Sequence, residues 1–308
     1  MDFEKLIDEL NTGKDSVLAI AAAEDDVVIK AAFMAQQRGI AKAILCGDKQ
    51  KIEAIACEAG IDISVFEIIS SDNAIEAAKT AVSLVRSGKA DMLMKGHIQT
   101  ADLLRAVLDR ENGLRGESGA QSGMQKETLL SHVSIIYSPI LERRLLITDG
   151  AMVPYPSLTD KVSLIENAVW AAKGLGIENP KVAPLAAVEV VNPKMQATLD
   201  AAALTEMNRK GKIRGCIVDG PLAMDLAISK DAARHKNIDS PVAGEADILL
   251  FHNIEAANAV AKTFTNAGNS LFGGVVMGAS VPIVLTSRSD SDQSKLYSIA
   301  CAACISSA

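Results

Sequence analysis

Short apolar runs alternate with helical patterns along most of this chain, and that alternation restricts the fold more than any other feature. Runs at 17–22, 43–46, 65–69 and 92–94 read as strands. Between them the apolar residues recur at helical spacing: Val28, Ala31, Ala32 and Ala35 in the first gap, then 49–59, then 75–87. Strands separated by helices cross over the sheet and re-enter it in the same direction, so a mainly parallel sheet with right-handed crossovers follows. Asp25 or Asp26 is placed to cap the first of these helices and Gly39 to stop it, while Ser71 and Asp72 precede the third. A short helix at 2–10 comes first.

The second half repeats the pattern, with strands expected at 129–137, 145–148, 181–189, 215–218 and 247–251. Helices are expected at 162–173 behind a Thr159 cap, at 197–210 and at 254–266. The Gly-flanked run 273–278 suits a packed strand. At 308 residues the length fits two domains or one large one, with a boundary expected around 139–144. Residues 111–128, rich in Gly, Ser and Gln, lack periodicity and read as a long loop.

Composition narrows the class. Hydrophobic residues make up 49% but aromatics only 3%, so Ala, Val, Ile and Leu must build the core, which favours α/β layers over an all-β sandwich. A net charge of −7 leaves no basic excess for nucleic acid or an acidic membrane surface. No apolar run reaches the length of a membrane span, and the acidic start at Met1 is not a secretory signal, so a soluble cytoplasmic protein is expected. The five cysteines lie mostly in apolar contexts. Cys301 and Cys304 form a C-x-x-C inside an Ala-rich helical pattern with no second pair, which reads as core. The four histidines show no paired spacing, and no metal is expected. No G-x-G-x-x-G or Walker sequence occurs, so neither dinucleotide nor P-loop nucleotide binding is favoured.

Two strand ends carry the chemistry. The run 281–285 breaks into Ser287, Arg288, Ser289, Asp290, Ser291 and Asp292, then resumes as a helix through Leu296, Ile299, Ala303 and Ile305. Free N–H groups and the positive dipole end of a helix start attract anions, and Arg288 adds a cation able to hold a phosphate through two hydrogen bonds. The strand 92–94 ends in Lys95 and Gly96, which permits close backbone approach, with Thr100 as N-cap of a helix bearing Arg105. Two cations flanking a helix start make a second anion site.

Seven segments in order, MLMKG at 92–96 with QTAD at 99–102 and Arg105, LSHV at 130–133, LITDGAM at 146–152, AAVEVVNPKM at 186–195, CIVDGPLA at 216–223, SPVAGEADILL at 240–250 and PIVLTSR at 282–288, resemble the phosphate acetyl/butyryltransferase family. VEVVNPKM and IVLTSR are most similar to its phosphate butyryltransferase branch. The resemblance implies a two-domain, three-layer α/β/α fold with mainly parallel sheets, isocitrate/isopropylmalate dehydrogenase-like, with residues 1–143 and 282–308 as the first domain and 144–281 inserted as the second. It implies an active site in the cleft and direct transfer of a short acyl group, butyryl, between coenzyme A and inorganic phosphate, without a covalent acyl-enzyme. Phosphate acetyltransferase activity, or an NAD- and metal-dependent dehydrogenase on the same superfamily fold, are the alternatives.

Ser287 and Arg288 match the family's catalytic pair, and Arg105 an arginine associated with substrate binding. Acetyl-type members carry an Asp seven residues after the catalytic Ser. Here that position is Ser294, leaving Asp290 and Asp292 as candidate bases. Asp290 is taken as the base and Asp292 as the helix cap. Lys95, Gly96, Thr100 and Arg105 are expected to bind phosphate and coenzyme A. The partners implied are acyl-CoA, phosphate and acyl phosphate. Coenzyme A is a substrate, no cofactor is expected, and a homo-oligomer is.

Overall fold

The computed structural model describes residues 7–8, 16–115, 129–287 and 290–307. It contains two compact units. Of the described residues, the first unit holds those up to Arg115 and those from Gly273 onward, and the second holds 129–272. In chain order the strands are β1 (Ser16–Ala21), β2 (Ala41–Gly47), β3 (Glu67–Ser70) and β4 (Met92–Lys95) in the first unit. The second has β5 (Ser131–Ser138), β6 (Arg143–Thr148), β7 (Lys181–Pro184), β8 (Ile217–Val218) and β9 (Ile248–Leu250). The chain then returns to the first unit through β10 (Leu271–Met277) and β11 (Ile283–Val284).

In the first unit the strand order is β3-β2-β1-β4-β11-β10, parallel except that β10 runs antiparallel to β11. β1 and β2 are buried at nearly every position, as near-continuous apolar runs in a parallel sheet require. Helices Asp26–Gln37, Lys49–Glu58 and Ala74–Arg86 make the crossovers. Asp25 caps the first by accepting from the Val28 N–H at 3.0 Å, and Gly39, at φ +68°, ends it. The third is capped by Asn73 and not by Ser71 or Asp72, because the Asn73 Oδ1 reaches the N–H groups of both Ile75 and Glu76 at 3.0 Å. The closing helix, Asp292–Ser306, packs against Asp26–Gln37 and is buried at every position from Lys295 to Ile305. Cys301 and Cys304 belong to that buried face.

The second unit orders its strands β5-β6-β9-β7-β8, all parallel except the β5–β6 pair. That pair is an antiparallel hairpin with Ser138 opposite Arg143 and Ser134 opposite Ile147. The stretch 139–144, expected as a boundary, is therefore the turn and start of a hairpin. The compact units divide before Leu129 and at Gly273, whereas the expected boundaries were 143/144 and 281/282. The difference has two causes: the hairpin keeps β5 with β6, and β10 pairs with β11. Helix Leu158–Gly174 starts at Ser157, which forms a capping box with Asp160, so Thr159 lies inside the helix. β7 stops at Pro184, five residues short of the expected end, and Leu185 adds a single bridge to Leu222. Helix Ile254–Asn266 falls where its periodicity placed it. Among the described residues no helix is long and apolar enough to cross a membrane.

Candidate functional site

β1, β4 and β11 lie side by side in the first unit and point the same way. Ala21 pairs with Lys95, and Met94 with Val284. The chain thus leaves the sheet in one direction at Ala22, Gly96 and Leu285, the end at which parallel sheets bind ligands. At the β4 end, the Gly96 N–H donates to the Ala21 carbonyl at 2.9 Å and the His97 N–H to the Ala22 carbonyl at 2.6 Å. A Cβ on Gly96 would sit 2.0 Å from the Ala22 oxygen. The neighbouring strand exit by itself requires glycine there, so the close backbone approach expected of Gly96 is made to Ala22.

The Lys95 ammonium donates to the Gly96 carbonyl at 3.2 Å. Helix Thr100–Val107 follows, and here too the expectation changes. Its N-cap is Gln99, which makes no side-chain cap bond, and Thr100 is the first helical residue. Arg105 sits in the last turn, 73% exposed, with Nη1 2.6 Å from the Asp102 Oδ1. Lys95 and Arg105 therefore do not flank the helix start: one lies ahead of it and the other at its far end.

At the β11 end, Ser287 is exposed and Arg288 lies outside the described residues. The Ser287 N–H donates to the Asp290 Oδ2 at 2.7 Å, and the Asp290 N–H donates back to the Ser287 carbonyl at 3.2 Å. These reciprocal bonds tie Ser287 to Asp290 directly ahead of the helix. The N-cap is Ser291, whose hydroxyl accepts from the Ser294 N–H at 3.2 Å, and not Asp292. Asp292 instead accepts from its neighbour Gln293 at 2.8 Å. Two N–H groups expected to face an anion are thus occupied by the helix's own side chains. Asp290 stays outside the helix and its Oδ1 makes no hydrogen bond among the described residues.

Lys295 was not anticipated. It is 3% exposed, and its ammonium donates to the carbonyls of Ser287 and Asp290, both at 3.0 Å. Its signal in the sequence was a lone charge opening an otherwise apolar helical run.

The second unit holds another unanticipated cluster. Lys161, 2% exposed in the first turn of its helix, donates to the Asp200 Oδ2 at 2.5 Å and to the His252 Nδ1 at 2.9 Å. Gln196 donates to the other Asp200 oxygen at 2.7 Å. Burial, and then the Lys161 charge, hold the His252 pKa below its ordinary value. An ammonium can only donate, so Nδ1 accepts and the neutral ring carries its proton on Nε2. Nearby in sequence, Asp149 is buried and organises the turn after β6. Its oxygens accept from the N–H groups of His132, Ala151 and Met152 at 3.0, 2.7 and 2.9 Å.

Mainly parallel α/β units with a cation and a serine turn at adjacent strand ends define an α/β protein with a polar site at the carboxyl edge of its sheet. The comparisons with known proteins narrow this further. The model of the family described as phosphate acetyl/butaryl transferase matches residues 2–80 and 70–303, and the chain belongs to that family. It is 46% identical over 304 residues to a phosphate butyryltransferase of Clostridium acetobutylicum, covering 98% of this chain and 97% of that protein. It is 43% identical over 303 residues to a phosphate acetyltransferase of Thermotoga maritima, covering 98% and 99%. Among solved structures, a branched-chain phosphotransacylase from Enterococcus faecalis V583 superposes with a TM-score of 0.81 at 31% identity, covering 94% of this chain and 99% of that one. A 4-hydroxythreonine-4-phosphate dehydrogenase from Klebsiella pneumoniae, at 12% identity with a TM-score of 0.58 and covering 95% and 100%, shares the fold.

Proposed function

We propose that the protein transfers a butyryl group between coenzyme A and inorganic phosphate, interconverting butyryl-CoA plus phosphate with butyryl phosphate plus coenzyme A. The observation that carries this reading is the 46% identity to a phosphate butyryltransferase over nearly the whole of both chains. The dehydrogenase alternative rests on a likeness at 12% identity, which speaks to fold alone. Acetyl transfer has a specific observation behind it, the relative at 43% identity, and remains the second reading.

In this reading the first-unit strand ends bind the phosphate. A phosphate oxygen attacks the thioester carbonyl, the tetrahedral oxyanion takes a hydrogen bond from the Ser287 hydroxyl, and the carbon–sulfur bond breaks. Arg288 holds the phosphate through its planar fork, and Lys95 and Arg105 neutralise the anionic groups of the substrates. In the opposite direction the coenzyme A thiol must lose a proton before it attacks the acyl phosphate. Asp290 takes that proton on Oδ1. Gly96 shapes the strand exit beside Lys95, and Thr100 opens the following helix. With both substrates held in line, positioning supplies much of the acceleration. The protein works as a cytoplasmic homo-oligomer, and its partners are acyl-CoA, phosphate and acyl phosphate.

The test is free-thiol release from a panel of acyl-CoAs with and without inorganic phosphate. Butyryl-CoA is expected to be consumed only when phosphate is present. No release above background with any acyl chain of two to five carbons would refute the reading, and acetyl-CoA outrunning butyryl-CoA would move the assignment to the acetyl reaction.

A further inference from the structure

His252 stands at the carboxyl edge of the second-unit sheet with one ring nitrogen committed and the other unused. Strands β6, β9 and β7 lie side by side and parallel, and their exits are laced together. The Phe251 N–H donates to the Thr148 carbonyl at 3.1 Å and the Leu185 N–H to the Leu250 carbonyl at 2.8 Å. His252 follows β9, between the exits of its two neighbours, at the end where parallel sheets bind ligands. Its side chain is 39% exposed, Nδ1 is held by the buried Lys161, and Nε2 makes no hydrogen bond among the described residues. A buried lysine–aspartate pair is a poor source of stability, since well-packed apolar side chains do as well. What this pair supplies is a tautomer. With Lys161 donating to Nδ1, the neutral ring must carry its hydrogen on Nε2, the nitrogen the pair leaves open.

The surroundings decide what that N–H can meet. Pro154 and Pro156 flank Tyr155, the Pro154 carbonyl accepts from the Ile254 N–H at 3.0 Å, and the Tyr155 hydroxyl donates to the Glu255 Oε1 at 2.6 Å. These bonds fasten Tyr155 to the segment directly after His252, yet it is 74% exposed. Val190 and Val191, on the loop after β7, are exposed as well. The charges of Lys161 and Asp200 cancel and Glu255 leaves a negative one, so an anion is disfavoured. An uncharged chain fits these groups, with a carbonyl oxygen for His252 and apolar length for Tyr155. Of the proposed substrates only acyl-CoA has such a part, the arm that carries amide groups and ends in the thioester. We propose that the second unit binds this arm at its carboxyl edge, with the His252 Nε2–H donating to one of its carbonyl oxygens and Lys161 and Asp200 positioning the ring. The inference rests on the acyl-transfer reading.

Binding is measured without turnover by isothermal titration calorimetry, using coenzyme A, butyryl-CoA and adenosine 3′,5′-bisphosphate, which lacks the arm. His252→Ala is expected to weaken binding of the arm-bearing ligands by about 3- to 10-fold, the weight of one neutral hydrogen bond. It should leave bisphosphate affinity and KM for phosphate at parental values. His252→Gln, whose amide N–H reaches near the Nε2 position, should keep most of the affinity. A loss shared by coenzyme A and butyryl-CoA assigns an amide as the acceptor, and a loss confined to butyryl-CoA assigns the thioester carbonyl; both support the proposal. Lys161→Met frees Nδ1 to carry the hydrogen toward the Asp200 Oδ2, 3.8 Å away, and leaves Nε2 a bare acceptor. Coenzyme A affinity in that variant should fall at pH 8 and recover relative to the parent as the ring protonates and regains its Nε2–H. A merely structural lysine would not produce that recovery, and nitrogen-15 NMR reads the tautomer directly. If Lys161→Met does not fold, the His252 variants decide the matter. Parental affinity for both arm-bearing ligands in His252→Ala overturns the proposal, as does an equal loss for the bisphosphate or an equal rise in KM for phosphate. A parent that binds coenzyme A but releases no thiol fails the acyl-transfer reading alone, while a parent that binds no coenzyme A overturns both.

Discussion

Replacing Gly96 with alanine tests whether the β4 exit is shaped by its neighbour strand or by a ligand. The added Cβ would lie 2.0 Å from the Ala22 oxygen and 2.8 Å from the Ala21 oxygen, where ordinary contact begins at 3.4 Å. Both obstacles are backbone atoms, so no side chain can swing aside. Relief requires the two strand exits to separate by more than an ångström, which breaks the bonds from Gly96 to Ala21 at 2.9 Å and from His97 to Ala22 at 2.6 Å. Each such bond contributes about 1 kcal/mol. The displacement of a packed core adds about 1–3 kcal/mol. The total, about 3–5 kcal/mol, is a large fraction of the roughly 5–15 kcal/mol that holds a typical domain folded. With a slope of about 3 kcal/mol per molar urea, the unfolding midpoint should fall by at least about 1 M, read by far-ultraviolet circular dichroism. A stability within about 0.5 kcal/mol of the parent would refute the steric reasoning. Unchanged stability with lost phosphate-dependent turnover would return Gly96 to the ligand-contact role its sequence context suggested.

Two further predictions concern the carboxylates and the second-unit cluster. Asp290→Asn keeps an oxygen for the Ser287 N–H but removes the proton acceptor. It should lower turnover by about 10²–10⁴ and abolish the acidic limb of the pH–rate profile, while Asp292→Asn costs about 1 kcal/mol of stability or less; the reverse pattern would transfer the base role to Asp292. Folding favours neutral His252, because burial and Lys161 hold its pKa below the ordinary 6.5. The stability this contributes is complete above about pH 6.5 and is lost as the pH falls below it, since the unfolded chain then binds the extra proton. Thermal unfolding from pH 8 to 5 should show that loss, and His252→Gln should flatten it; an equal slope in the variant would show that other groups cause it.

The parallel core was legible because its strands and helices have different periods. Buried runs such as 17–22 and 43–46 carry no polar residue on either face, and the helices between them repeat at 3.6 residues. Element ends were less so. Asn73, Ser157 and Ser291 each stand within two residues of another good capping residue, and only the backbone direction at the helix start selects between them. The hairpin at 138–143 was hidden because its turn lacks an Asn-Gly or Asp-Gly pair, so 139–144 resembled a linker. In the site, Lys95, Ser287 and Asp290 were visible as polar residues directly following apolar strands. Lys295, Lys161, Asp200 and His252 were not, because each lies within or beside a helical or apolar pattern. What gives them meaning is a partner 8, 39 or 91 residues away. The ion pair of Arg105 with Asp102, three residues earlier on the same helix, was within reach of spacing alone but yielded to the family resemblance.

The first unit draws its strands from both sides of the second, and this orders events during synthesis. Residues 129–272 form one continuous stretch and can collapse as soon as they leave the ribosome. β1 to β4 emerge earlier and can pair with one another, but without β11 and β10. The open edge of β4 has no β11 to pair with, and the apolar face of Asp26–Gln37 has no Asp292–Ser306 to cover it, until residues beyond 273 are made. During that interval the nascent chain presents an unpaired parallel strand edge and an uncovered helix face, the kind of surface that chaperones bind. The segment that closes this edge is also the one that brings Ser287, Asp290 and Lys295 into place. Completion of the sheet and assembly of the turn are therefore a single late step, and a chain stalled before it would hold a folded second unit beside an edge still open to aggregation.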